Sequence, residues 1–174
     1  MPFFKIAGAD LDLPRNLALL DTNVLVAYAD DRDNGHEQAL LVIDDLGESY
    51  KWLVAPPVIV ESCGLLMSRR GEGAVLKLLG WLLSSPIITI LPSPYPPLSA
   101  QSSLRLHTDW MQRLSVDYVD SYLMQAAHLI TTECSLRPSV PIVTFDTSDF
   151  LKCAIGEYKY SLYDMRDLDL IEFN

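Results

Sequence analysis

Two aspartates follow apolar segments that have the pattern of short buried strands. Asp21 comes directly after Leu17–Leu20, and Asp146 comes directly after Pro141–Phe145, near the other end of the chain. An aspartate in this position could simply cap the helix that follows. It could equally belong to a functional site, because ligands of parallel sheets lie at the carboxyl ends of the strands. Both interpretations stay open for each of the two aspartates.

Polar residues close to these aspartates favour the functional interpretation. Asn23 offers a further oxygen donor two residues after Asp21. Thr144 and Asp149, on either side of Asp146, are assigned the same supporting role. For Asp149 a purely structural role remains an alternative.

Three further acids lie where the sequence predicts apolar surroundings. Glu61 interrupts the run Val58–Leu66, so its carboxylate should be partly buried, which is costly unless it is paired or bound to a cation. Asp117 and Asp120 lie three residues apart at the start of the predicted helix Val116–Thr132, so they share one face. Asp120 borders the apolar stripe of that helix, and we favour it as the functional member. Asp117 is either a helix cap or a second member of the site.

Gathered in one place, these acids would form a site for divalent cations. Two carboxylates about 4 Å apart repel each other by about 4 kcal/mol at an effective dielectric constant of about 20, so a cluster must take up protons or bind cations. Ligands that are all oxygen suit Mg²⁺ or Mn²⁺ rather than zinc. Ions of this kind activate water against a phosphodiester.

Short apolar strands alternate with helical segments along the chain. The predicted strands are Leu17–Leu20, Trp52–Ala55, Ile87–Leu91, Pro141–Phe145 and Leu168–Phe173. The predicted helices are Val24–Ala29, His36–Leu46, Val58–Met67, Gly73–Leu83 and Val116–Thr132. The early strands follow one another at about 35 residues, which is the length that a strand–helix–strand crossover requires. This alternation predicts an α/β fold with a mostly parallel sheet and helices on both faces.

The length of 174 residues suits one compact domain with its own hydrophobic core. We therefore predict a single domain over residues 1–174, in which 1–16 form an N-terminal extension. Residues 92–103 are predicted to be a proline-rich loop, because four prolines in six residues sustain neither a helix nor a strand.

The net charge of -10 argues against a strong bulk attraction for nucleic acid. The repulsion of nucleic acid is weaker if the acids converge on bound cations, since each divalent ion cancels two negative charges locally. No apolar run reaches the roughly 18–20 residues that span a bilayer, and the start of the chain lacks the pattern of a signal peptide. The sequence thus predicts a cytoplasmic protein that does not enter a membrane.

Four stretches of the sequence resemble the PIN-domain family, which includes the ribonuclease toxins of bacterial toxin–antitoxin pairs. They are LLDTNVLVAY, PPVIVESCGLL, VDYVDSYLMQAA and IVTFDTSDF, and they stand in the same order as in the family. The resemblance carries the acidic quartet of the family over to Asp21, Glu61, Asp120 and Asp146. Asp117 takes a position where relatives often have an acid, and Asn23 matches the polar residue of the first motif.

The resemblance implies a PIN-like three-layer α/β/α fold around a mostly parallel sheet. It implies one or two Mg²⁺ or Mn²⁺ ions on these carboxylates and endonucleolytic cleavage of single-stranded RNA by metal-activated water. It also implies a homodimer and, for the toxins, an antitoxin protein that holds the enzyme inactive.

Two other hypotheses compete with the nuclease. The first is a catalytically silent binding module that keeps the fold and acts through a protein partner, and it is motivated by the acidic charge and the extra segments. The second, weaker hypothesis is a phosphatase with an aspartate nucleophile, although such enzymes have a second aspartate where Asn23 stands. The pair Arg69-Arg70 could contact phosphates, but a short basic pair is more often only solvated.

Overall fold

The computed structural model describes residues 3–6, 9–12, 16–47, 49–92, 100–134, 136, 139–152 and 160–172. The strands are β1 (Phe3–Ile6), β2 (Ala9–Asp12), β3 (Leu17–Leu20), β4 (Lys51–Val54), β5 (Ile88–Ile90), β6 (Pro141–Thr144), β7 (Ser161–Asp164) and β8 (Asp169–Glu172). The helices are α1 (Thr22–Ala29), α2 (His36–Leu46), α3 (Pro56–Arg70), α4 (Glu72–Ser84), α5 (Ala100–Leu114), α6 (Tyr118–Glu133) and α7 (Ser148–Lys152).

The central sheet has the strand order β5-β4-β3-β6-β7-β8. Neighbouring strands run parallel from β5 to β7, and only the last pair, β7 with β8, is antiparallel. β1 and β2 pair separately as an antiparallel hairpin. The predicted α/β class with a mostly parallel sheet is confirmed.

The chain reverses its direction across the sheet between β3 and β6. From β3 it proceeds outward to β4 and β5, and it then returns to the other side of β3 to form β6 and β7. α1 packs against α2, α3 and α4, whereas α6 packs against α5 and α7. This grouping agrees with right-handed crossovers, which put α1–α4 on one face of the sheet and α5–α7 on the other. A cleft forms beyond the carboxyl ends of the two strands at such a reversal. Asp21 and Asp146 both follow these two strands.

The core is centred on the two inner strands and on α6. Every residue of β3 and of β6 is buried. In α6 all residues from 121 to 127 are buried as well, although the sequence predicted burial of one stripe only. The reason is that α5 packs against α6, while α3, α7 and β6 contact it elsewhere.

The helix α5 corrects part of the predicted proline-rich loop. Residues 100–103 are helical, whereas residues 93–99 lie outside the described part of the chain. The last proline of the segment is Pro97, so nothing in the covalent structure prevents a helix from Ala100 onward.

Other boundaries were wrong in smaller ways. The helix α6 begins at Tyr118 rather than Val116, because Asp117 has an extended backbone and caps the helix. The predicted last strand is present as β8 and is antiparallel. The strands β1, β2 and β7 were not predicted. Within the described residues, no helix combines the length and apolar character that crossing a membrane requires.

Candidate active site

Asp21 stands where β3 ends and α1 begins. Its backbone N–H donates to the carbonyl of Val143 at 3.1 Å, so it extends the pairing of β3 with β6 by one residue. Its side chain is buried and accepts a hydrogen bond from the backbone N–H of Thr22 at 2.6 Å. The predicted role as a helix cap is therefore present, and it leaves the second carboxylate oxygen for other contacts.

That second oxygen belongs to a network that connects the ends of β3 and β6. Oδ2 of Asp21 accepts from Thr144 Oγ1 at 2.7 Å and from Asn23 Nδ2 at 2.8 Å. Asn23 Nδ2 also contacts the Thr144 hydroxyl at 3.0 Å, and Asn23 Oδ1 accepts from the backbone N–H of Phe145 at 3.0 Å. Thr144 is fully buried. Together, Asn23 and Thr144 fix the orientation of the Asp21 carboxylate.

Glu61 reaches the same region from α3, and it is half-buried as predicted from its apolar neighbours. The hydroxyl of Thr22 donates to Glu61 Oε2 at 2.6 Å. Thr22 thus connects the start of α1 with the middle of α3 and contacts the carboxylates of both Asp21 and Glu61 through its two polar groups. Thr22 was not predicted as a site residue, although its position directly after Asp21 is a usable signal.

The acids of α6 divide into a cap and a half-buried carboxylate. Asp117 is the N-cap, and its Oδ1 accepts from the backbone N–H of Asp120 at 2.8 Å. Asp117 is exposed, whereas Asp120 in the first turn is half-buried. Both side chains nevertheless line the same cavity as Asp21.

Asp146 follows β6 and is exposed. Its Oδ1 accepts from the backbone N–H of Ser148 at 3.0 Å and from the Ser148 hydroxyl at 2.7 Å, so it also organises the start of α7. Asp149, in the first turn of α7, is half-buried. The alternative structural roles of Asp146 and Asp149 are thus compatible with a place at the cavity.

One cavity of about 490 Å³ brings these side chains together. The predicted site residues that line it are Asp21, Asn23, Glu61, Asp117, Asp120, Asp146 and Asp149. Thr144 does not line the cavity and lies behind Asp21. Asp33, Asn34 and Arg69 also line it and were not predicted to do so. Arg69 lies eight residues after Glu61 on α3, so helical spacing could have placed it on the same face.

The cavity disfavours full ionisation of its acids. Burial, as the largest cause, and the negative charges of neighbouring carboxylates, first Asp117 and then Asp21, together raise the pKa of Asp120 to about 8. Burial also raises the pKa of Asp21 to about 6, although the hydrogen bonds from Thr144 and from the backbone of Thr22 act in the opposite direction. At neutral pH the cluster therefore holds a proton or attracts a cation.

The donor set suits a hard divalent cation. The predicted ligands are all carboxylates, and oxygen donors of this kind are those that Mg²⁺ and Mn²⁺ prefer. The raised pKa values of Asp21 and Asp120 agree with this, because burial and neighbouring carboxylates disfavour the ionised forms unless a cation neutralises their charge. Among the described residues, no three acidic, histidine or cysteine side chains already form a closed cage, so binding an ion requires side-chain adjustment.

Several solved structures share this fold. VapC20 of Mycobacterium tuberculosis, described as a sarcin-ricin loop cleaving toxin, is 16% identical with a TM-score of 0.56 over 78% of this chain and 94% of its own. FitAcB of Neisseria gonorrhoeae is 17% identical, with a TM-score of 0.52 over 87% and 99%. VapBC2 of Rickettsia felis, solved with a DNA fragment from its promoter, is 17% identical, with a TM-score of 0.56 over 85% and 99%.

At these identities the structural likeness shows the fold alone. A comparison with curated protein sequences found no match. The sequence pattern of the PIN domain matches residues 18–155, which is most of the chain and contains the four predicted acidic positions from Asp21 to Asp146. The chain therefore belongs to the PIN domain family, a family of nucleases.

Proposed function

We propose that this protein is a Mg²⁺- or Mn²⁺-dependent endoribonuclease that cleaves single-stranded RNA, and that it is the toxin of a toxin–antitoxin pair. The observation that carries the proposal is the cavity at the reversal of the sheet, where acids from β3, α3, α6 and the end of β6 line one space. Membership of a nuclease family supports the same reaction class.

In this proposal Asp21, Glu61, Asp120 and Asp146 are the catalytic carboxylates, and Asp117 joins them in holding the metal. A bound divalent ion would lower the pKa of an attacking water and neutralise charge on the phosphodiester. The residues around the carboxylates hold them in position: Asn23 and Thr144 orient Asp21, and Thr22 orients Glu61. Outer contacts of this kind fix the direction of metal ligands.

The experiment is an RNA cleavage assay with Mg²⁺ or Mn²⁺. Loss of a residue that hydrogen-bonds to a metal ligand lowers activity about 10- to 100-fold. Asp21→Asn removes a proposed metal ligand itself, so we expect the cleavage rate to fall by at least about a hundredfold. Asp44→Asn is the matched control, because Asp44 is exposed on α2. Activity of Asp21→Asn equal to that of the Asp44 variant would defeat the assignment.

The solved structures of similar fold include toxin–antitoxin complexes, which supports an antitoxin protein as partner. We also propose a homodimer. Supporting it, α3 exposes Val60 and Met67, with Gly64 between them, and α4 exposes Leu76 and Leu83 at the same spacing. Large apolar side chains repeated along one helix face are typical of surfaces that another protein covers.

A catalytically silent binding module is the second candidate, and the same exposed apolar side chains favour it. Such a module would act through its partner alone and would need no metal. Calorimetric titration with Mn²⁺ separates the two functions when it is combined with the cleavage assay. A protein that binds no Mn²⁺ and cleaves no single-stranded RNA would be the module.

A further inference from the structure

A second cavity, of about 440 Å³, lies beside the first, between the end of α3, the start of α4 and the segment after α1. We call it the basic groove, and its charged lining consists of Arg32, Arg69, Arg70, Lys77, Asp30 and Asp31. Four of the 13 lysines and arginines of the chain thus meet here, although the whole chain has 23 acids. Cations outnumber acids in this groove, against the overall balance of the molecule.

Arg69 connects the basic groove with the carboxylate cavity, because it lines both. On α3, Glu61, Leu65 and Arg69 follow one another at intervals of four residues and all line the carboxylate cavity. The side chain of Arg69 is 48% exposed, and its guanidinium makes only a loose ion pair with Asp33, at 3.5 Å. An extended chain that leaves the carboxylate cavity along α3 therefore meets Arg69 first.

Arg70 is held in position by a buried carboxylate. Its Nε donates to Asp30 Oδ1 at 2.6 Å, and the backbone N–H of Arg32 donates to the same oxygen at 3.1 Å. The hydrogen bond from Arg70 holds the pKa of Asp30 below its usual range. A guanidinium that is already oriented loses less conformational freedom when it binds an anion. Asp30 thus both neutralises part of the charge and organises the groove.

The far end of the groove is formed by the first turn of α4, where Gly73 and Ala74 line it. The N-cap of this helix is Gly71, which makes no side-chain capping bond to the first turn. A Cβ atom added at Gly73 would meet nothing within 4 Å, so there is open space beside this turn. Backbone N–H groups at a helix start add to the attraction that Lys77 and the arginines exert on an anion.

We infer that the basic groove binds backbone phosphates of the RNA strand on one side of the bond that is cut. The inference rests on the proposed function and assigns Arg69, Lys77 and Arg32 to substrate binding, with Arg70 as the organised centre. A line of phosphates fits a line of cations that starts at the edge of the carboxylate cavity. It also explains how an acidic protein can hold a polyanion, since the attraction is local.

The test compares two double variants that remove the same charge. Arg32→Gln/Lys77→Gln removes two exposed cations that line the groove but not the carboxylate cavity, whereas Arg105→Gln/Arg113→Gln removes two exposed cations of α5 that line neither cavity. Arg69 is left intact, because it also lines the carboxylate cavity. Arg70 is left intact, because its loss would leave the buried Asp30 without its partner. Thermal unfolding of both double variants verifies that they fold like the wild type. Initial rates with Mn²⁺ are then measured on a long single-stranded RNA and on a trinucleotide.

For the groove variant we expect a KM for the long RNA about tenfold higher, with unchanged kcat and unchanged kinetics on the trinucleotide. The dependence of log KM on log salt concentration should become shallower by about 1.4, since each lost phosphate contact to a single strand accounts for about 0.7. The α5 variant should change these values much less.

Two results would overturn the inference in distinguishable ways. If the wild type cleaves RNA and both double variants have the same KM and salt dependence, the groove does not bind the substrate. Its cations would then suit an acidic segment of a partner protein instead. In that case the proposed function stands. If the wild type cleaves neither RNA, the proposed function fails and the role of the groove fails with it.

Discussion

Hydrogen bonds hold both carboxylate oxygens of Asp21 in place. Three donors contact it: the backbone of Thr22, the Thr144 hydroxyl and the Asn23 amide. The hydrogen bonds from Thr144 and from the backbone of Thr22 lower the pKa of Asp21, but burial outweighs them, and the pKa is raised to about 6. The residue therefore acts as a helix cap and as a cavity acid at the same time, two roles that sequence alone presents as alternatives.

Replacing Thr144 by Val should lower both stability and activity. The change removes one donor to Asp21 and an acceptor for Asn23 and for the backbone of Asp146, at a fully buried position. Leaving buried polar groups without a partner costs about 1–3 kcal/mol, which urea unfolding measures. Loss of the orienting contact should lower the cleavage rate about 10- to 100-fold.

Thr131→Val is the matched control for this change. Thr131 is also buried, and its hydroxyl accepts from the backbone N–H of Val140, away from the carboxylate cavity. We expect a comparable loss of stability with cleavage retained. If Thr144→Val and Thr131→Val affect the cleavage rate equally, Thr144 does not position Asp21 for catalysis.

The raised pKa values predict how stability depends on pH. The folded state keeps Asp21 and Asp120 protonated up to pH values near 6 and 8, whereas unfolded aspartate releases its proton near pH 4. The folded state therefore binds more protons in this window, and the contribution of these two groups to the free energy of unfolding falls as pH rises through it.

Urea unfolding in EDTA at several pH values between about 4 and 9 measures this effect. Asp120→Asn should make the decline shallower, and saturating Mn²⁺ should stabilise the wild type most at the high end, where the carboxylates are ionised. A decline that is identical in wild type and Asp120→Asn would show that Asp120 has an ordinary pKa.

The helix α5 supports the site from behind α6, and none of its described side chains lines the cavity. It covers α6, and its buried His107 has Nδ1 at 2.9 Å from the hydroxyl of Ser121. The His107 ring lies 5.3 Å from the ring of Tyr122, nearly parallel to it, and meets Tyr118 edge-on at 5.0 Å. These contacts surround the first turn of α6 and thereby fix where Asp120 points.

His107→Ala should destabilise the fold by roughly 2–4 kcal/mol, as other large-to-small substitutions in packed interiors do. Because the contacts lie at the start of α6, Mn²⁺ affinity should fall together with stability. Urea unfolding and calorimetric titration provide the two values. An unchanged free energy of unfolding would mean that α5 is only loosely attached to α6.

Elements with strong local patterns could be predicted from the sequence, and others could not. The strands β3 and β6 are short, mostly apolar segments that an acid follows, so the local sequence was sufficient to predict them. β7 is a four-residue strand, Ser-Leu-Tyr-Asp, and its polar ends give no apolar pattern in the sequence. It forms by pairing with β6, which is a long-range contact that the local sequence does not indicate. α5 is mostly polar on its surface and follows a proline-rich segment, so the loop prediction extended too far.

The same distinction holds for the cavity. Acids at strand ends and the acid within an apolar run carry a local signal, which is why Asp21, Glu61 and Asp146 could be proposed from sequence. Asp33 carries no such signal, because only the packing of α1 against α2 and α3 brings it to the cavity, whereas the helical spacing of Arg69 from Glu61 on α3 is a usable signal.

At the scale of the whole molecule, charge and apolar surface are distributed unevenly. The net charge is -10, yet four cations meet in the basic groove beside the acidic cavity. The side chains of Val60 and Leu83 are 74% and 79% exposed. Exposure of this extent on two neighbouring helices is costly in water, so a protein partner on α3 and α4 would stabilise the molecule.

The exposed apolar side chains predict that the chain forms a dimer through α3 and α4. Val60→Asp/Leu83→Asp should convert the dimer to a monomer, because a charge at the centre of an apolar interface is costly when it is buried. Light scattering after size-exclusion chromatography measures the mass. Leu41→Asp, at an exposed leucine of α2, is the control and should remain dimeric. A wild type that is monomeric at high concentration would contradict this prediction.

The most direct test of the account is a calorimetric titration of Mn²⁺ into the wild type and into Asp21→Asn, Glu61→Gln, Asp120→Asn and Asp146→Asn. If carboxylates from four separate segments hold one ion site, the wild type binds Mn²⁺ and each of the four changes weakens binding. A wild type that does not bind Mn²⁺, or variants that all bind it as tightly as the wild type, would contradict the account.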